Sequence, residues 1–218
     1  MPKAIIFDWD DTLAHTRQAV VEAMEYILQK YNKEPWDITK AKYRDSKKSL
    51  KDNFENFFGN DAKKAYDEYL EYYRTNSFNK VKPFEYTKEF LSLCHQKNID
   101  LYIISNKEKS LLLKEVAYCF PDVGFKNILG NGDAANNKPA PDPVFKALEG
   151  ASFEINRDNV WLVGDTKQDT ECAYNANILP VLIGKGKFME DDYIKNKLNS
   201  SKPMLVFDSF RGLIDFIG

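Results

Sequence analysis

The chain contains no run of 18 apolar residues, so it offers no membrane-spanning helix. It is poor in cysteine. The three present, Cys94, Cys119 and Cys172, lie far apart in no metal-ligand spacing. That odd, scattered set argues against a disulfide framework and for reduced thiols in a cytoplasmic protein. Charge of one sign is also lacking: 31 Lys and Arg against 33 Asp and Glu leave a net −2. No general affinity for nucleic acid follows from that balance. Only four apolar residues, Ala4 to Phe7, separate Met1-Pro2-Lys3 from Asp8, too few for the core of a signal peptide. No internal repeat or low-complexity segment is visible.

What is present is enough apolar material, 43% of 218 residues, for one full domain or a domain with a small insert. The short apolar run Ala4-Ile5-Ile6-Phe7 reads as a buried strand. It leads directly into Asp8-Trp9-Asp10-Asp11-Thr12-Leu13. On an extended chain, residues two apart share a face, so Asp8 and Asp10 converge on one site. From Pro83 onward strands alternate with helices. The strands fall at Leu101–Ile104, near Asn127–Leu129, and at Val160–Val163, Val181–Ile183 and Leu205–Phe207. Helices are expected at about 86–96, 108–119, 143–149 and 169–176, with a short one closing the chain. That alternation predicts an α/β fold, a Rossmann-like parallel sheet with helices on both faces.

Residues 14–82 read differently. The spacing predicts a helix over about 17–31 with Thr16 as its N-cap, ended by Glu34-Pro35. Further helices are expected at about 38–58 and 61–75, the last with Tyr66, Tyr69, Leu70 and Tyr73 on one side. The block is therefore an inserted all-helical cap domain (14–82), and the α/β core comprises 1–13 and 83–218. Residues 13–16 and 79–83 are the natural hinges.

Four strand ends then offer polar groups along one sheet edge, where open parallel sheets bind ligands. These are Asp8 and Asp10, Ser105, Lys138 in its loop, and Asp165. The set suits phosphoryl transfer. One carboxylate attacks phosphorus, a second handles the proton, acidic oxygens hold Mg²⁺, and a hydroxyl and a lysine offset phosphate charge.

The motifs resemble those of the haloacid dehalogenase-like superfamily, in the branch with a helical cap after the first motif and nearest to phosphoglycolate phosphatases. The family's Asp-x-Asp-x-Thr-Leu stands as Asp8 to Leu13. Its strand ending in Ser or Thr stands as Ile103-Ile104-Ser105-Asn106. Lys-Pro-x-Pro is Lys138-Pro139-Ala140-Pro141, and Gly-Asp-x-x-x-Asp is Gly164-Asp165-Thr166-Lys167-Gln168-Asp169. The resemblance implies that Asp8 is the nucleophile, Asp10 the general acid/base and Lys138 a catalytic partner. Phosphate binding then falls to Asp8, Thr12, Ser105, Asn106 and Lys138, with backbone amides of Trp9, Asp10 and Asn106. Mg²⁺ would be held by Asp8, Asp165 and the backbone carbonyl of Asp10, with Asp169 in support.

The implied function is a Mg²⁺-dependent phosphatase acting on a small phosphorylated metabolite, with no nucleic-acid or membrane partner. A phosphosugar mutase of the same family is the rival reading, and a catalytically silent binding protein the rival from another class. Dehalogenase and phosphonate hydrolase are disfavoured by the intact Asp10. Two positions depart from the family: Asp11, where many relatives have glycine, and Lys82-Pro83-Phe84-Glu85-Tyr86, where many have Pro-Gly. In the cap, Lys40, Lys42, Arg44, Lys47, Lys48 and Lys51 face a single acid, Asp45. They form either a solvated helix face or an attractor for an anionic leaving group. His15 is expected to face solvent near the hinge.

Overall fold

The structure is a computed structural model and describes residues 1–35, 49–184 and 204–218. Strand β1 (Ala4–Phe7) leads through the acidic turn to β2 (Ala14–His15) and helix α1 (Arg17–Lys30). Helices α2 (Leu50–Phe58) and α3 (Ala62–Tyr72) follow, then one π-helical turn at Tyr73–Ser77 and β3 (Lys82–Pro83). Next come α4 (Thr87–Gln96), β4 (Asp100–Glu108), α5 (Lys109–Cys119), β5 (Asn127–Asn131) and α6 (Asp142–Ala147). The chain continues through β6 (Val160–Gly164), α7 (Lys167–Asn175), β7 (Leu179–Ile183), β8 (Leu205–Phe207) and α8 (Phe210–Ile217).

Six of the strands form one sheet in the order β5-β4-β1-β6-β7-β8, every pairing parallel. The chain runs outward from β1 to one edge, returns, and runs outward to the other. The direction reverses between β1 and β6, and a crevice opens there at the carboxyl ends. Alternation along β1 shows why both faces are covered. Ile5 and Phe7 pack with Phe90 and Leu91 of α4, Leu112 and Val116 of α5, and Phe210 and Leu213 of α8. Ala4 and Ile6 point the other way, onto Val144 and Ala147 of α6 and Cys172 and Ala173 of α7. A strand buried on both faces reads as a continuous apolar run, as Ala4–Phe7 does. The three cysteines are free and buried. Among the described residues, no helix is long and apolar enough to cross a membrane.

The described part of the insert is helical, and Phe54, Phe58, Tyr66, Tyr69 and Tyr73 pack inward. Phe54 meets Tyr66 at 5.0 Å and Tyr69 at 5.5 Å between ring centroids, both edge-on. Trp9 and Leu13 join this cluster to the core on the Ile5/Phe7 side of the sheet. Where the chain enters and leaves the insert, β2 and β3 pair antiparallel, Ala14 opposite Pro83 and His15 opposite Lys82. The expected hinges are thus a short two-stranded ribbon. Its two-residue strands carried no readable alternation. His15 is exposed and stacks on Phe84, with centroids 3.5 Å apart.

Two helix starts differ from expectation. Thr16 precedes α1 but its side chain makes no capping bond. The carboxylate of Asp11 does the capping, accepting from the backbone N–H groups of Thr16 and Arg17 at 3.3 Å and from Arg17 Nε at 2.9 Å. Asp11 also adopts φ 57, a left-handed conformation that favours glycine and is tolerated by aspartate. Its departure from the family's glycine therefore keeps the turn and adds a cap. Asp11→Ala should cost about 1–2 kcal/mol in urea unfolding, losing the cap and straining the turn, and Asp11→Gly less than half of that. The helix expected over about 38–58 does not run through Ser49. That residue is extended (ψ 164), and its hydroxyl caps α2 by accepting from Asp52 N. The basic stretch from Lys40 to Lys48 lies outside the described residues.

Candidate active site

Asp8 directly follows β1 and its amide still pairs with the sheet, donating to Val163 O at 2.9 Å. Its carboxylate is 6% exposed and accepts from Lys138 Nζ at 2.6 Å. Lys138, 3% exposed, arrives from the loop after β5. That loop is clamped to β4 by a reciprocal pair: Asn106 Nδ2 donates to Lys138 O at 2.9 Å, and Lys138 N donates to Asn106 Oδ1 at 3.0 Å. Asn106 thus places the lysine through its side chain.

The second carboxylate on Lys138 Nζ is Asp169, also at 2.6 Å. Its other oxygen accepts from the backbone and hydroxyl of Thr166, closing the capping box that starts α7. The helix-cap and lysine-support readings of Asp169 describe one arrangement. Gly164 makes it possible: a Cβ there would lie 2.3 Å from Asp169 Cβ. Gly164→Ala should displace Asp169 and cost about 1–3 kcal/mol or more, read as a lowered melting temperature with weakened activity.

Asp165 follows β6 and is buried. Thr12 Oγ1 donates to Asp165 Oδ1 at 3.2 Å and lies 3.4 Å from Asp8 Oδ2. Thr12 was expected to bind phosphate. It lies behind the two carboxylates, 1% exposed and off the cavity wall, so it holds them in place. Ser105 is part of β4 rather than beyond its end. The register with β5 shifts between Ile104 and Glu108, an irregularity of the kind that re-aims side chains beside active sites. Ser105 and Asn106 line the same cavity as Asp8, Asp10, Lys138 and Asp165.

The electrostatics are lopsided. Asp8, Asp165 and Asp169 each bring a carboxylate oxygen within 4.8 Å of the others, all three buried, and among the described residues the ammonium of Lys138 pairs with Asp8 and Asp169. Burial raises the Asp8 pKa well above the ordinary carboxylate value; Lys138 opposes this, and Asp169, Asp165 and Asp10 add to it. For Lys138, burial alone would lower the pKa, but Asp169 and Asp8 outweigh it and raise the value. A hard divalent cation with oxygen ligands would offset the excess negative charge. Asp8 and Asp165 fit that task. Both oxygens of Asp169 are engaged by Lys138 and Thr166, which fits a supporting place.

Asp10 stands apart, on the cavity wall, with Oδ1 accepting from Lys107 Nζ at 2.8 Å. Lys107 and its partners Glu115 and Tyr73 were not among the residues expected at the site. A signal existed. Glu115 is a charge in the middle of the apolar stripe Leu111, Leu112, Val116, Cys119 of α5, and a buried charge needs a partner.

Residues 5–183 match the family model of the haloacid dehalogenase-like hydrolases. The phosphoglycolate phosphatase of Aquifex aeolicus is 28% identical over 214 residues, covering 92% of this chain and 90% of that protein. Pyrophosphatase PpaX of Halalkalibacterium halodurans is 22% identical over 214 residues, covering 98% and 96%. Among solved structures, a haloacid dehalogenase-like family hydrolase from Streptococcus pneumoniae superposes with a TM-score of 0.79 at 19% identity, covering 100% of this chain and 99% of that one. That likeness shows a shared fold. With the family model running from β1 through β7, over the insert and all four motifs, the chain belongs to the haloacid dehalogenase-like hydrolases.

Proposed function

We propose that this protein is a Mg²⁺-dependent phosphatase that hydrolyses a small phosphomonoester through an aspartyl-phosphate on Asp8. The observation that carries the reading is the split between two carboxylates two residues apart. Asp8 is buried against Lys138, while Asp10 faces the cavity from a different partner. In this reading an Asp8 oxygen forms a bond to phosphorus as the ester P–O bond breaks. Asp10 gives its proton to the departing oxygen. Water then attacks phosphorus, Asp10 takes its proton, the Asp8–phosphorus bond breaks, and phosphate leaves. Ser105, Lys138 and backbone amides after β1 hold the phosphoryl oxygens. A bound Mg²⁺ would supply charge neutralisation, with Asp8, Asp165 and the Asp10 carbonyl as its protein ligands.

A cavity of about 280 Å³ between insert and sheet edge, walled by Val20, Leu50 and Tyr69 as well as the polar groups, supports a small substrate. Lys51 lines it too, whereas Arg17 is paired with Asp11 at 2.9 Å. Residues 14–82 would act as the cap, hinged at the β2–β3 ribbon, closing to exclude water and opening to release product. The names of the relatives support phosphoglycolate or pyrophosphate as first substrates to try.

The test is release of p-nitrophenol from p-nitrophenyl phosphate with Mg²⁺ and with EDTA, followed by a panel of phosphorylated metabolites. Metal-dependent release, with a preferred panel member giving free phosphate, is expected. Phosphate moved between positions of one sugar would favour a mutase. No metal-dependent release by the wild type would leave the silent binding protein.

A further inference from the structure

A buried polar network joins the insert to the acid/base side of the site. Glu115 of α5 is fully buried, and both its oxygens are taken. Trp9 Nε1 donates to Oε2 at 2.5 Å, and Tyr73 OH, from the π-helical turn of the insert, donates to Oε1 at 2.7 Å. Lys107, its side chain 7% exposed, reaches Glu115 at 3.2 Å, Asp10 at 2.8 Å and the Tyr73 hydroxyl at 3.2 Å. The contacts with Asp10 and the Tyr73 hydroxyl are hydrogen bonds donated by the ammonium, and Glu115 is its ion-pair partner. Lys107 lines the cavity with its ammonium held by Asp10, Tyr73 and Glu115. Trp9 lies between Asp8 and Asp10 in sequence, so Glu115 anchors the turn from which both project.

We infer that Lys107 is a positioning residue for Asp10, and that Glu115 and Tyr73 make its position depend on the seating of the insert. The inference rests on the phosphatase reading, since it concerns the group there assigned to the proton. A Lys–Glu pair alone would satisfy Glu115. The third arm, onto a carboxylate at the cavity wall, has no structural debt to settle. Lys107 and Ser105 both line the cavity from the irregular end of β4, which brings the lysine to the site. The π-helical turn widens the helix where Tyr73 enters, as such turns often do at functional positions. If the insert moves away, the Tyr73 hydroxyl leaves Lys107 and Glu115 together, and Asp10 loses its fixed position. Proton donation would then occur with the insert seated and water excluded.

The test is leaving-group dependence. p-Nitrophenolate departs without much help from an acid, whereas the alkoxide of an alkyl phosphate needs its proton. Lys107→Met, Lys107→Arg and Tyr73→Phe are assayed with p-nitrophenyl phosphate and with an alkyl phosphate that the wild type hydrolyses. In Lys107→Met, kcat should fall at least about tenfold more for the alkyl ester than for the aryl ester, with KM values little changed. Lys107→Arg should recover much of that ratio, and Tyr73→Phe should show it in weaker form. Equal losses on both esters, or a rise in KM at constant kcat, would overturn the inference. Should Lys107→Met fail to fold, Tyr73→Phe carries the same comparison, and equal losses there overturn it likewise. A wild type inactive on both esters would instead remove the phosphatase reading itself.

Discussion

Asp8→Asn is expected to abolish turnover while the chelator-treated protein melts no lower than the wild type at neutral pH. The loss should be on the order of 10⁴-fold or more, because an amide cannot become the acyl phosphate and nothing else nearby replaces it. The stability half follows from the burial of the carboxylate, opposed by Lys138 and reinforced by three neighbouring acids, which leaves the folded-state pKa raised. A raised folded pKa means that Asp8 contributes stability at pH below its unfolded value of about 4, and that this is lost as pH rises through the folded value. At pH 7 the Asp8 carboxyl is therefore a burden that asparagine, of nearly the same shape, does not carry. Thermal melts in EDTA from pH 4 to 8 should show the wild type losing more stability with rising pH than the variant. Added Mg²⁺ should raise the wild-type melting temperature more than that of Asp8→Asn, since binding to the folded state stabilises in proportion to affinity. Turnover within about tenfold of wild type, or a variant that melts well below it, would contradict the assignment.

Much of this was readable in the chain because the periodicities are strong. Ala4–Phe7 and Val160–Val163 are unbroken apolar runs, as strands buried on both faces must be. Polar motifs that follow β1 and β6, lie in the last part of β4 and sit in the loop after β5 point to one sheet edge without knowledge of strand order. What escaped was set by contacts between distant residues. Asp11 caps α1 from five residues upstream, across a left-handed turn, whereas local rules pointed to Thr16. Thr12 belongs to the motif but is turned inward onto Asp165, 153 positions away, a matter that no spacing encodes. Lys107 itself carries no signal in its local sequence. Only the charge at Glu115, on the buried stripe of a helix that follows, reveals that it has somewhere to go.

Lys138→Met should separate the two duties of that lysine. The side chain is similar in length, so little volume is lost, but Asp8 and Asp169 are stranded in a site where the ammonium was within 2.6 Å of each. Breaking a buried pair by removing one partner costs about 3–5 kcal/mol, far more than the pair itself contributes. The raised pKa of Lys138 means that its stabilisation is present throughout neutral pH and is lost only as pH rises through that value, so alkaline conditions do not mimic the variant. The variant should instead be least stable at neutral and higher pH and recover in acid, where a stranded carboxylate can take a proton. Combining Lys138→Met with Asp8→Asn removes one of the two stranded charges. The double variant should therefore be more stable than the sum of the single effects by about 1–3 kcal/mol in urea unfolding. Activity should show no such recovery, because the nucleophile and the charge that faces the phosphate are both gone. Additive unfolding energies would mean that Lys138 does not hold Asp8 in solution. Residual turnover near wild type in Lys138→Met would mean that the phosphate finds its positive charge elsewhere.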